Sequence, residues 1–542
     1  MRSLTLYFHT LRHLRPIQIA ARAWLRLYRP LPDLRAAPPQ RPPGARYEPP
    51  VATEASLLGP DVFRFLNVER RCAVASDWQP HDAPKLWTYH LHYFDDLNAH
   101  DAHLRVAWHE KLLTRWVAEN PPGKAESWDP YPVSRRIVNC VKWSLRGNTL
   151  AAAFQASLAV QTRWLMHRLE YHILGNHLFA NAKALVHAGL YFDGPEAQRW
   201  RARGMHILDH EVREQILRDG GHFELSPMYH AQILEDLLDL VNLLIAYGKE
   251  PPRDWIAAIA RMREWLKVMS HPDGDIAFFN DSAFGSSSTF AELETYALRL
   301  GLPATPDNAS AVVVLDASGY VRARTPAAYL VCDCAAVGAV YQPGHGHADA
   351  LSFELSLRGR RVLVNSGTSQ YGENAERTRQ RGTAAHNTVV LDREDSSEIW
   401  AGFRVARRAR VKLRSVTTTP SAAIIEASHD GYRRLPGRNE HRRRWILDER
   451  SLRIEDEISG AFDTGAAYFH IHPDVDARLH GATEVSLACD GETLRMVFEG
   501  ASSIELRSGT WHPRFGVSVP NRCIVASLAS ATLVTSVIWG AP

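Results

Sequence analysis

The sequence predicts an α+β chain whose helices and strands are segregated into separate domains. From about residue 84 to 302, apolar residues recur at spacings of three and four. From about residue 310 the pattern changes to short apolar runs separated by polar turns. The two patterns do not interleave, which argues against alternating βαβ units. At 542 residues, two or more domains are expected. We place a basic helical and extended arm at 1–83, a helical domain at 84–305 and a strand domain at 306–542.

The opening stretch, MRSLTLYFHTLRHLRPIQIAARAWLRLYRP, has basic residues every few positions and no unbroken apolar core of the signal-peptide kind. It reads as one or two amphipathic basic helices, either packed on the body or lying on a membrane surface. No window supplies the roughly 20 apolar residues of a spanning helix. Residues 31–50, rich in Pro and Arg, cannot be helical throughout and read as an extended arm.

At least seven helices follow, carried by HLRVAWHEKLLTRWVAEN, TLAAAFQASLAVQTRWLMHRLEYHI, LFANAKALVHAGLYF, EAQRWRARGMHILDHEVREQIL, MYHAQILEDLLDLVNLLIAYG, DWIAAIARMREWLKVM and TFAELETYALRLG. The strands begin with AVVVLDASGYVRART and AAYLVCDCAAVGAVY and continue through LSFELSLRGRRVLVNSG, HNTVVLD, RRRWILDERSLRIEDEISG and EVSLACDGETLRMVFEG.

Net charge is +3, so nothing in the balance calls for a nucleic-acid partner. The basic runs Arg404–Arg410 and Arg442–Arg444 alternate with apolar residues, as solvated strand faces do. Six cysteines are scattered without a CxxC pair, which gives neither a disulfide framework nor a structural zinc motif.

Three stretches carry polar residues that packing does not require. In GNHLFAN, Gly175 and Asn176 can cap a helix starting at His177, or Asn176 and His177 can present an amide and an imidazole to a cleft. In DGGHFELSPMYHAQ, Ser226 caps a helix with Pro227 at its first position. That puts Tyr229 in the first turn, near the positive end of the dipole, where a phenolate is favoured. In PGHGHADALSFEL, His345 and His347 are two apart and face the same way at a strand edge. Asn365 ends a later strand and His386 begins another, so imidazole and oxygen donors can converge in a zinc-type site.

Taken together and in chain order, GNHLFANAKAL, GGHFELSPMYHA, FNDS, PGHGHADALSFEL, VNSGTSQY and GTAAHNTVVLD resemble the heparinase II/III-like polysaccharide lyases. The resemblance implies an N-terminal incomplete α/α toroid followed by a C-terminal antiparallel β-sandwich. It also implies β-elimination on an anionic, uronic-acid-containing polysaccharide, in a cleft between the domains. It assigns catalytic positions to Asn176 and His177 (carboxylate neutralisation), Tyr229 (base or acid) and His345 (partner histidine). Beside what the resemblance assigns, we count Arg135, Arg136, Glu224, Asn280 and Arg381 as candidate substrate-binding residues, since bidentate guanidinium–carboxylate contacts suit a uronate; Arg135 and Arg136 can equally pair with helix carboxylates, and Arg377 and Arg379 invite the same question. The resemblance places a structural zinc on His347, Asn365 and His386, with Asn365 standing where the family has an aspartate. An amide oxygen is a weaker, neutral ligand, and without the ion these residues would brace the loop of His345 by hydrogen bonds.

Two rival readings remain. A glycoside hydrolase on a similar toroid needs two carboxylates across the sugar, from among Asp219, Glu224, Asp281 and Asp349. A non-catalytic polysaccharide-binding or assembly protein would keep the cleft without turnover. With no evident signal peptide, the expected location is the cytoplasm or the periphery of the inner membrane, with the periplasm open. The expected role is handling the cell's own surface polysaccharide.

Overall fold

The structure, a computed structural model, describes residues 2–489 and 491–540; Met1, Asp490, Ala541 and Pro542, which fall in the expected domains, lie outside the described residues. Helices Arg2–Leu11 and Pro16–Leu27 open the chain. An extended segment then crosses the helical domain, with Arg41 N–H donating to Tyr191 O and Ala45 N–H to Ala246 O. It ends in a small sheet of Leu57–Gly59, Val62–Phe65 and Val68–Arg71.

Between Lys85 and Arg299 the described residues form nine α-helices. Seven coincide with the segments read as helical. The other two are Lys85–Tyr93 and Pro130–Leu145. In the second, Pro130 and Pro132 read as loop residues, yet Pro130 occupies the first helical position, where a missing N–H costs nothing. One apolar core built from Trp87, Trp116, Trp143, Leu185, Leu237 and Trp255 joins these helices.

The last helix of this domain, Phe290–Arg299, starts with a capping box in which Thr289 Oγ1 accepts the Glu292 N–H. The first strand of the large sheets begins at Val312. Among the described residues one sheet has nine strands, running in space from Ala501–Trp511 through Gly465–Ile471 and Phe353–Leu357 to Val312–Leu315, with Val389–Leu391 paired on Gly465–Ile471. The other has eight, from Val411–Thr418 through Ser451–Ile458 and Thr532–Ile538 to Asp476–His480. Their strand pairs are antiparallel. Phe353, Leu363 and Phe469 from the first sheet share a core with Trp445, Ile454 and Phe498 from the second, which makes a β-sandwich.

The domains are locked together. Trp265 and Phe279 of the helical half pack with Tyr320 and Val331 of the sandwich. Beside them, Arg361 Nε donates to Asp273 Oδ2 at 2.6 Å and His271 Nδ1 lies 2.7 Å from Ser356 Oγ. The loop carrying Asn280 and Asp281 enters this seam and reaches the histidine loop of the sandwich.

Candidate active site

The family resemblance implies a cleft between the two halves, and a cavity of about 1440 Å³ lies there. Asn176, His177, Tyr229, Arg135 and His345 all line it.

Asn176 is the second residue of helix Gly175–Tyr191, which has Leu174 as its N-cap. The expected cap role for Asn176 therefore does not hold. Its Oδ1 is buried with no hydrogen-bond partner among the described residues, while its N–H donates to Glu224 Oε1 at 3.2 Å. Gly175 is required here: it has φ +56°, and a Cβ would collide with the Gln342 amide oxygen of the sandwich domain. His177 Nδ1 donates to Glu170 Oε1 at 3.0 Å. Burial works against the charged imidazole, but the Glu170 carboxylate outweighs it and raises the His177 pKa.

Ser226 Oγ accepts the Tyr229 N–H at 3.2 Å, so the expected N-cap holds. The Tyr229 ring lies against His345 with centroids 3.9 Å apart, and its hydroxyl is 3.0 Å from that of Tyr371. The expected help from the helix dipole is overridden. Burial, then Tyr371 and Asp281, hold the Tyr229 phenol well above its ordinary pKa, so it rests protonated.

Asp281 is the hub of the site. It is fully buried and binds both Arg377 guanidinium nitrogens, one at 2.7 Å. His345 Nδ1–H donates to its Oδ2 at 2.8 Å and His347 Nε2–H to its Oδ1 at 2.9 Å. Despite its burial, Arg377 and the two imidazoles keep the Asp281 carboxyl well below the usual range. An ionised carboxylate only accepts, so His345 must carry its proton on Nδ1, and Nε2 is left to act in the cleft. Glu224 Oε2 is 3.6 Å from that Nε2 and has no hydrogen-bond partner among the described residues.

Several expected contacts do not occur. Arg136 is buried inside the helical domain, donating to Gln161 Oε1, His92 O and Ser127 O and lying over Trp116. It cannot reach a substrate. Its neighbour Arg135, one residue and about 100° around the helix, does line the cavity and pairs with Asp95 at 3.1 Å. Asn280 is buried and clamps loops: its Oδ1 accepts the His347 N–H at 2.9 Å and its Nδ2 donates to Leu225 O. Arg381 is buried too, and donates to Gly346 O and Gly402 O. These two residues hold the histidine loop rather than a sugar. Glu224 lies behind Asn176 and His345, outside the cavity lining.

The hydrolase reading loses its carboxylate pair. Asp219 accepts from the Ala317 and Ser318 N–H groups, Asp281 is locked by Arg377, and neither of them, nor Glu224 or Asp349, lines the cavity.

Asn365 is not the third metal donor. Its Nδ2 donates to Phe278 O and its Oδ1 accepts the Asn387 N–H, so the amide is spent on loop structure. Asp349 stands with His347 and His386 instead, in one buried cluster. His347 Nδ1 and His386 Nε2 are 3.3 Å apart. Two nitrogens about 2.0 Å from a tetrahedral zinc stand about 3.3 Å apart. The Asp281 carboxylate on the far side of His347 is the usual outer partner of a ligating imidazole. Burial also pushes Asp349 up to about 6, a cost that a bound cation would remove. These residues fit a zinc ion.

Tyr371 and the hub role of Asp281 escaped the sequence reading, although both lie inside the family-like motifs. The one available signal was the acidic residue in FNDS preceding two histidines that need an orienting carboxylate.

Two family models cover most of the chain: "Heparinase II/III N-terminus" matches residues 87–300 and "Heparinase II/III-like, C-terminal" matches 308–539. A heparin-sulfate lyase of Bacteroides stercoris is 23% identical over 373 residues, covering 59% of this chain and 55% of that protein. FtsZ-localized protein C of Caulobacter vibrioides is 25% identical over 423 residues, covering 73% of this chain and 69% of that one. The chain spans about half the length of the heparin-sulfate lyases it matches. In fold it is similar to the crystal structure of heparinase III, with a TM-score of 0.71 at 21% identity over 86% of this chain and 79% of that one.

Proposed function

The chain belongs to the heparinase II/III-like family, and from that premise we propose that it is a polysaccharide lyase acting on a uronic-acid-containing polymer by β-elimination. The observation that carries this reading is the close contact of the Tyr229 and His345 rings across the seam, with centroids 3.9 Å apart, in a cavity also lined by Asn176 and His177. The C5 proton beside a uronate carboxylate is too weakly acidic to leave until that carboxylate is neutralised. The raised His177 pKa suits this neutralising role, since its imidazolium supplies positive charge, and the Asn176 side chain beside it carries an amide NH2 that can donate to the carboxylate.

His345, its Nδ1–H held by Asp281, takes the C5 proton on Nε2. The C4–O4 bond breaks, a C4–C5 double bond forms, and the protonated Tyr229 phenol gives its proton to O4. The proton on His345 then returns to the phenolate beside it.

The cavity is lined by seven Lys and Arg residues against six Asp and Glu residues. This near-balance suits a polymer of modest charge density more than a heavily sulfated one, and as substrate we propose the cell's own surface polysaccharide.

Incubation with a panel of uronic-acid polymers, followed by near-ultraviolet absorbance of the unsaturated product, tests the reading. Tyr229→Phe should cut kcat by about 10²–10⁴ with binding retained; equal turnover by Tyr229→Phe removes Tyr229 from the chemistry. Polymer binding with no unsaturated product would favour the second reading, a polysaccharide-binding or assembly protein. Support for that second reading comes from the relative named for its localisation rather than for a reaction.

We further propose that zinc is held by His347, His386 and Asp349 and is structural. When bound, it would neutralise the buried Asp349 carboxyl and brace the loop that offers His345. Elemental analysis of purified protein should find about one zinc per chain. His386→Ala should abolish it and lower the melting temperature; a metal-free wild type of equal stability would refute the ion.

A further inference from the structure

The first two helices meet the body largely through polar residues, while several of their large apolar side chains face outward. In helix Pro16–Leu27 the buried residue is Gln18, whose amide donates to Ile173 O at 3.1 Å. Arg15, next to it, pairs with Glu214 at 2.9 Å. Meanwhile Ile17, Trp24 and Leu27, at spacings of seven and three, are 47%, 56% and 82% exposed. Helix Arg2–Leu11 repeats the pattern: Leu4 and Phe8, four apart, are 76% and 64% exposed. Water does not favour such an inversion, since a helix normally turns its apolar stripe toward the core. Something apolar is therefore needed to cover these stripes.

The charge of the segment says what covers them. Residues 1–32 hold six arginines and no Asp or Glu, whereas the whole chain has 63 Lys and Arg against 60 Asp and Glu. Basic side chains beside rows of Leu, Phe and Trp are the pattern of helices that lie in the interface of an anionic bilayer. Trp24 stacks on Tyr28 at 4.9 Å, an aromatic pair of the kind that suits the headgroup level. Among the described residues no helix is long and apolar enough to cross a membrane, so contact of this kind is peripheral.

We propose that the N-terminal helix pair docks the protein on an anionic lipid surface through Leu4, Phe8, Ile17, Trp24 and Leu27, with Arg12 and Arg26 meeting the headgroups. The inference is independent of the lyase reading. Tyr7 and Arg22 of the same helices, and His13 of the turn between them, line the active-site cavity, so a docked molecule would hold its cleft beside the bilayer.

Co-sedimentation of the full chain with vesicles tests this. The protein should bind mixed phosphatidylglycerol–phosphatidylcholine vesicles at least about tenfold more tightly than pure phosphatidylcholine, and salt should weaken the binding. The triple variant Phe8→Asp, Trp24→Asp, Leu27→Asp should lose that binding about tenfold or more, with its melting temperature unchanged because these side chains pack on little. Arg12→Glu with Arg26→Glu should lose the preference for anionic vesicles. Failure of the wild type to sediment, equal sedimentation of the triple variant, or indifference to vesicle charge would each overturn the proposal. So would a wild-type dimer that the triple variant splits into monomers, since a second copy would then be what covers the stripes.

Discussion

Replacing Asp281 by Asn keeps the shape of the side chain and removes the charge on which the site converges. Arg377, fully buried, would lose a two-nitrogen ion pair. Leaving a buried charge unpaired costs about 3–5 kcal/mol. For domains of this size that corresponds to a fall in melting temperature of roughly 6–20 °C. The second effect is chemical. The new amide can turn its oxygen toward His345 or toward Arg377 and His347, but not toward all of them. His345 would then lose its fixed tautomer, and kcat should fall about 10²–10⁴ while KM moves little. Calorimetry reads the first effect and formation of unsaturated product reads the second. NMR of isotope-labelled histidine reads the tautomer directly, and Asp281→Glu should recover part of it. An Asp281→Asn protein that keeps its melting temperature and a kcat within about threefold of the parent would refute the hub role.

Arg135→Ala should raise KM with little change in melting temperature, whereas Arg136→Ala should leave KM alone and destabilise by about 3–5 kcal/mol, because three buried acceptors lose their donor; substrate titration and thermal melts separate the two. Lys183 bridges Asp236 and Asp239, each at 2.6 Å, with Lys142 2.9 Å from Asp239. Lys183→Met should therefore cost about 3–5 kcal/mol in denaturant unfolding. Burial opposes ionisation of Asp239, but the two lysines hold its carboxyl below the usual range. Its contribution is present above the ordinary carboxylate value and is lost as pH falls through the depressed one. The His177–Glu170 pair has the opposite sign at its basic end. With the His177 pKa raised, its charge is full below about pH 6.5 and is lost as pH climbs through the raised value. KM for a uronate polymer should rise over that range, and His177→Gln should flatten the profile.

The sequence by itself determined what depends on neighbours along the chain. Helical periodicity located seven helices, alternation located the strands, and Ser226 with Pro227 set the start of the helix that presents Tyr229. The order of short motifs identified the family and four cavity-lining residues. Tertiary structure decided everything that depends on burial and distant partners. Asp281 meets His345 across 64 residues of chain and Arg377 across 96, distances over which periodicity carries no information. Arg135 and Arg136 are chemically identical neighbours, and only the packing of their helix sends one to the cavity and the other into the core. Asp349 rather than Asn365 stands with His347 and His386, because the Asn365 amide is taken up by Phe278 and Asn387, on loops that only the packed molecule brings together. The N-terminal stripes were legible as amphipathic, but which face turns outward was settled by Gln18 and Arg15 finding polar partners on the body. A side chain's chemistry is written in the chain; its solvent and its partners are properties of the packed molecule.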